Sequence, residues 1–221
     1  PIRAQVAPRP VGVLLGLELT LNPFSAHPTY REIADLPLPE RVKRLRDPDF
    51  RARLLADAPQ TDNPFLKSMV RNFGKIFQLS DPVNYEPGPE STLAAMAEAR
   101  GVSPEAVALD LMLEREGSGV LYLPFLNYAQ GSLDPILEMM QSPATLPGLS
   151  DGGAHVGMIC DGSFTSTMLT HWVRDRTKGR KLSVESIVRR QARLTAEWIG
   201  LWDRGLIAPG YRADLNVIDL A

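Results

Sequence analysis

Prolines crowd the chain between Asn22 and Pro89 so densely that no apolar period there survives for more than a few turns. A proline has no N–H to donate, and its ring collides with the preceding helical turn, so this stretch can hold only short helices joined by bends. The main one is predicted over Pro39 to Ala58, where Val42, Leu45, Phe50, Leu54 and Leu55 leave an apolar stripe. Another is predicted over Asp62 to Leu79, with Phe65, Met69, Phe73 and Phe77 at helical intervals. Flexible linkers lack this many aromatic residues, so residues 22–90 read as an elaborated helical insertion with apolar contacts of its own.

On either side the pattern is more regular. Val11 to Leu17 is a short apolar run whose length and branched residues predict a buried strand. Beyond Pro89, a helix is expected over Ser91 to Ala99 with Gly101 as its C-terminal cap. Ser103 then caps a helix that starts at Pro104, carries Glu105 in its first turn and runs to about Glu116. Gly117-Ser118-Gly119 ends that helix, and Val120 to Leu123 follows as a strand closed by Pro124. A helix from Asp134, a short strand over Thr145 to Leu149, and helices over Ser163 to Arg174 and Ser183 to Ile199 complete the series. Strands alternating with helices point to an α/β fold with a parallel sheet and crossover helices. Gly205 to Asp219 breaks the rhythm: a Pro-Gly turn between two β-like segments predicts a hairpin of a separate β unit.

The chain has 221 residues, enough for one large domain or part of a bigger one. A net charge of −2 offers no basic excess for phosphate contacts, which argues against a nucleic-acid or anionic-membrane partner. The basic clusters Arg41 to Arg53 and Arg174 to Lys181 are interleaved with acids and read as solvated helix faces. No apolar run reaches the roughly 20 residues that span a bilayer. The single cysteine, Cys160, excludes an internal disulfide and fits a reducing compartment, so a cytoplasmic location is expected. Trp172, Trp198 and Trp202 are expected to pack on helix faces.

The most concentrated chemical signal is Leu146-Pro147-Gly148-Leu149-Ser150-Asp151-Gly152-Gly153-Ala154-His155. An acid stands where a strand ends and a loop begins, with glycines behind it that let the backbone approach a ligand. Asp151 in that position could hold a divalent metal and take a proton from activated water, or it could cap the following turn. His155 reads as a metal ligand, a hydrogen-bond donor to substrate, or a loop residue. One acid and one histidine do not complete a zinc site, which needs three or four ligands. Gly148 to Gly152 also matches the G-x-S-x-G nucleophile elbow with Ser150 as nucleophile, but glycines continue where that motif demands a helix. Cys160 has no basic neighbour in sequence to lower its pKa.

The segment Leu149 to His155 resembles strand eight of the amidohydrolase superfamily, and more closely that of N-acyl-D-amino-acid deacylases. Arg190 to Ala196 resembles the helix that precedes Gly200-Leu201 in those enzymes, and Asp203 to Leu215 resembles their return strand. Gln5 to Pro10 looks like the segment after strand six. The resemblance implies the carboxyl-terminal part of a TIM-like (β/α)8 metal-dependent hydrolase barrel over residues 1–203. Residues 204–221 would begin a small β-sandwich segment. It implies a divalent metal, zinc being the expected ion, with Asp151 as metal ligand and general base. His155, Gly152 and Gly153 would line the pocket of a small-molecule amide substrate. The other metal ligands are expected upstream of residue 1, in an N-terminal half that is absent here, and both chain ends read as cut. A homo-oligomer is compatible with this reading. The rival reading is a non-catalytic α/β subunit or binding module with a structural glycine loop.

Overall fold

The computed structural model describes residues 2–68, 70–149, 155–159 and 162–220, with the backbone alone for Phe65. Ser150, Asp151, Gly152, Gly153 and Cys160 lie outside the described residues. In chain order the elements are β1 (Ala4–Val6), β2 (Val11–Gly16), α1 (Pro28–Arg31), α2 (Leu38–Arg46), α3 (Pro48–Ala56), α4 (Pro64–Ser68) and β3 (Phe77–Gln78). Then come α5 (Leu93–Arg100), α6 (Pro104–Gly117), β4 (Val120–Leu126), α7 (Asp134–Gln141), β5 (Thr145–Pro147), α8 (Phe164–Leu169), α9 (Val184–Arg189) and α10 (Thr195–Trp198). The fold is mixed α/β, with helices and two small sheets. It divides into two compact units, Gly12–Leu126 with His155–Cys160, and Pro1–Val11 with Asn127–Ala154 and Asp161–Ala221.

The first unit is built on a sheet of order β2-β4-β3, in which β3 runs antiparallel to β4 with Phe77 opposite Tyr122. Helices α2, α3, α5 and α6 contribute Leu45, Leu54, Leu93, Leu109 and Met112 to one core with Leu15 and Ile76, all fully buried. The apolar stripe of Pro39 to Ala58 is real but belongs to two helices. Asp47 turns extended ahead of Pro48, as a residue before proline must, and its Oδ1 then accepts from Phe50 N at 2.9 Å to cap α3. The predicted helix over Asp62 to Leu79 is corrected more severely. Among the described residues of this stretch only Pro64–Ser68 is helical; a turn follows, with Lys75 N donating to Asn72 O at 2.7 Å, and Phe77 enters β3. Phe73 and Phe77 are buried, but from a turn and a strand rather than from one helix face.

The caps read from the sequence are in place. Gly101 closes α5 at φ 65°, and Ser103 Oγ accepts from Ala106 N at 3.2 Å ahead of Pro104. Helix α6 unwinds earlier than expected, since Arg115 and Glu116 take φ of 50° and 57° before Gly117. Strand β4 continues through Pro124 to Leu126 instead of ending there. Its pairing with β3 spans Leu121 and Tyr122, so Pro124 interrupts no bond of that ladder. The basic face of α2 and α3 is solvated in part, with Arg46–Glu116 and Arg51–Asp110 ion pairs at 2.9 and 2.7 Å, but Arg41 turns inward and its Nη1 donates to Leu17 O at 2.6 Å.

In the second unit β1 and β5 pair in parallel, Ala4 with Thr145, Gln5 with Leu146 and Val6 with Pro147. Helix α8 runs on through a π-helical segment, Thr170–Asp175, and α9 through another, Arg190–Leu194, into α10. Both long helices thus lie where the apolar periods predicted them. Trp172 is fully buried and donates its Nε1–H to Pro8 O at 2.6 Å. Arg176 corrects the solvated reading of its cluster. Its side chain is wholly buried over the Trp172 ring at 4.8 Å, bonded to Asp134 at 2.6 Å and to Arg180 O at 2.8 Å. Trp202, by contrast, is 70% exposed. Residues 199–220 contain no strand, and Ile207, Leu215 and Val217 are exposed there, so the predicted hairpin is not formed. Among the described residues, no helix is long and apolar enough to cross a membrane.

The close approach of α6 to the start of β4 depends on Gly119, where an added Cβ would sit 1.8 Å from Leu111 O. Backbone cannot yield as a flexible side-chain tip can. Gly119→Ala is therefore expected to destabilise the protein by about 2 kcal/mol or more, read as a lower midpoint in urea unfolding.

Candidate functional site

Strand β5 delivers the glycine loop. Leu146 is buried, and Gly148 N donates to Val6 O at 3.0 Å, extending the parallel ladder one residue past the strand. An added Cβ on Gly148 would lie 2.7 Å from Gln5 Cβ, so a side chain here would collide with that of Gln5. Leu149 then takes φ 62°, a left-handed conformation rare for a leucine and 54% exposed. The next five residues include Asp151, Gly152 and Gly153, which fall outside the described residues. Of the four predicted site residues, only His155 is described. It is exposed at φ 56°, and its carbonyl accepts from Met158 N and Ile159 N, each at 2.7 Å. The segment it opens is tied to the first unit through Leu14 N to Met158 O at 2.7 Å and Thr20 N to Gly157 O at 2.9 Å. Strained backbone on either side of a loop is a pattern that clusters at functional sites.

Within the second unit, the carboxyl ends of β1 and β5 open on a cleft of about 140 Å³. Pro8, Pro147 and Gly148 come from the strand ends; Phe164, Thr165 and Met168 come from α8, and Gln191 and Thr195 from the helix that includes α9 and α10. This is where open parallel sheets place ligands. Gln191 and Thr195 lie in the segment that resembled a family helix, but nothing in the sequence marked them as pocket residues. Arg9 was passed over too. Its guanidinium is buried over the Phe164 ring at 4.3 Å and bonds Ser163 Oγ at 3.3 Å.

No group of three or more His, Cys, Asp or Glu side chains among the described residues could hold a metal ion. The described residues therefore do not by themselves fit a metal centre. The first unit does bury one histidine. His27 is 1% exposed, its Nε2 lies 3.1 Å from Arg71 Nη1, and Arg71 pairs with Glu105 at 2.7 Å. Burial, and then the Arg71 cation, pull the His27 pKa below its ordinary value, against the opposing carboxylates of Asp57 and Glu105. Its Nδ1 is buried without a hydrogen-bond partner in the structure. Charging this ring is unfavourable in the fold and free in the unfolded chain, so unfolding takes up a proton below the ordinary pKa. Stability is then expected to be complete above about pH 6.5 and to fall as the pH drops towards the folded pKa. Urea midpoints measured across this window should fall less steeply for His27→Gln than for the wild type.

Compared with known proteins, the whole chain, residues 1–221, matches the model of the amidohydrolase family. No curated protein matches it significantly, and no solved structure does.

Proposed function

The chain belongs to the amidohydrolase family, and from that membership we propose that it carries the strand-eight side of a metal-dependent hydrolase that cleaves a C–N amide bond. The substrate class is an N-acyl-D-amino acid or a related small amide. The observation that carries the hydrolase reading is the family match over the full 221 residues. The resemblance of Leu149 to His155 and of Asp203 to Leu215 to the deacylases supports the finer substrate class.

On this reading Asp151 accepts the proton of the attacking water, and Gly152, Gly153 and His155 line the space the amide enters. The glycines keep that space free of side chains. A divalent metal, zinc in the closest resemblance, would supply Lewis acidity beside Asp151. The resemblance places its remaining ligands upstream of residue 1. Residues 1–203 would then form part of a (β/α)8 barrel, and residues 204–221 the start of a sandwich segment. The partner this requires is the N-terminal part of the same enzyme, with a homo-oligomer compatible and a cytoplasmic location proposed from the lone Cys160.

Asp151→Asn keeps the size of the side chain and removes the base. In the intact, metal-replete protein it is expected to lower turnover of N-acyl-D-amino acids by at least about a hundredfold while leaving the thermal midpoint nearly unchanged. Near-normal turnover in this variant overturns the assignment of Asp151. A wild-type protein that binds no metal and hydrolyses no amide would favour the non-catalytic α/β subunit instead.

A further inference from the structure

The cleft at the carboxyl ends of β1 and β5 has a chemistry of its own. Four of its walls are apolar: Pro8, Pro147, Phe164 and Met168. Phe164 and Met168 are each 1% exposed, so these walls are fixed by packing, and Arg9 stacked over the Phe164 ring holds it further. Of the polar members, Gln191 Nε2 donates to Thr165 O at 2.8 Å, and Thr195 Oγ1 donates to Arg190 O at 2.8 Å. Among the described residues no charged side chain lines the cleft. A carboxylate or phosphate would find no cation among the lining residues, whereas an aliphatic group would lose only water.

Position narrows the occupant. Gly148 lines the cleft, and Asp151 follows it by three residues, a length of chain that reaches no further than about 11 Å. Gln191 sits on a π-helical segment and Thr195 directly follows it; such wide turns recur at functional sites.

We propose that this cleft is a substrate subsite that holds a short aliphatic group next to the amide bond that the hydrolase reading assigns to Asp151. The inference rests on that reading for the identity of the substrate, but the cleft and its preference for alkyl groups do not. The group is either the acyl chain or the side chain of the amino acid, and the two are separable by experiment.

Two variants of the full-length, metal-replete enzyme test it. Thr165→Leu, at an exposed lining position, fills the cleft; Met168→Ala enlarges it. kcat/KM is measured for two series, acyl chains of increasing length on one amino acid and side chains of increasing length under one acetyl group. In one series the wild type is expected to gain about fourfold per methylene until the cleft is full. Thr165→Leu should remove that gain for the longer members, and Met168→Ala should move the optimum to longer chains. The series that responds identifies the group. If amides are hydrolysed but neither series responds to Thr165→Leu, the subsite is refuted and the hydrolase reading stands. If no amide is hydrolysed, the hydrolase reading falls, and the cleft is judged by binding of N-alkanoyl amino acids. Saturation-transfer NMR should then show the chain methyl in contact with the wild type and lose that signal in Thr165→Leu; equal signals in both proteins refute the subsite.

Discussion

Three backbone pairs between residues 4–6 and 145–147 bring together two parts of the chain that are far apart in sequence, and the second unit is organised by that junction. Three pairs are a short ladder. The entropy of closing so long a loop grows only slowly with length, but it must be met by burial. Trp172 and Phe164 meet it, the first through a hydrogen bond to the carbonyl of Pro8 as well as through area. The ladder is extended at one end by Ala4 N to Ala144 O at 3.0 Å and at the other by the glycine that follows β5. Tightness at that glycine is therefore part of the same junction that shapes the cleft.

That junction also sets what the strand ends present. The cleft is walled by large, packed side chains, Phe164 and Met168 among them. Binding energy gathered away from a reacting bond can be used to position it, so a pocket fixed by packing is a sensible device for a hydrolase.

Local signals in the sequence translated well into local structure. Ser103 with Pro104, Gly101 and Ser183 set helix ends where short-range hydrogen bonds and left-handed glycine demand them. What was not legible came from partners distant in sequence. Arg176 counts as one more charge in a basic run until the Trp172 face and the Asp134 carboxylate, from elsewhere in the chain, enclose it. The aromatic spacing between Phe65 and Phe77 imitated a helical period, although the chain turns at Asn72 to Lys75 and enters β3 at Phe77. The glycine loop announced itself by composition, whereas the cleft beside it did not, since Pro8, Phe164 and Gln191 converge only in three dimensions.

The wide turn at Arg190–Leu194 has a consequence for evolution. A π turn accommodates one residue more than the α turns around it, so a helix can absorb a single-residue insertion there without breaking. Removing one residue there would restore regular winding while the helix on either side keeps its phase. The spacing from Gln191 to Thr195 would shorten from four positions to three, changing how the helix presents the two to the cleft.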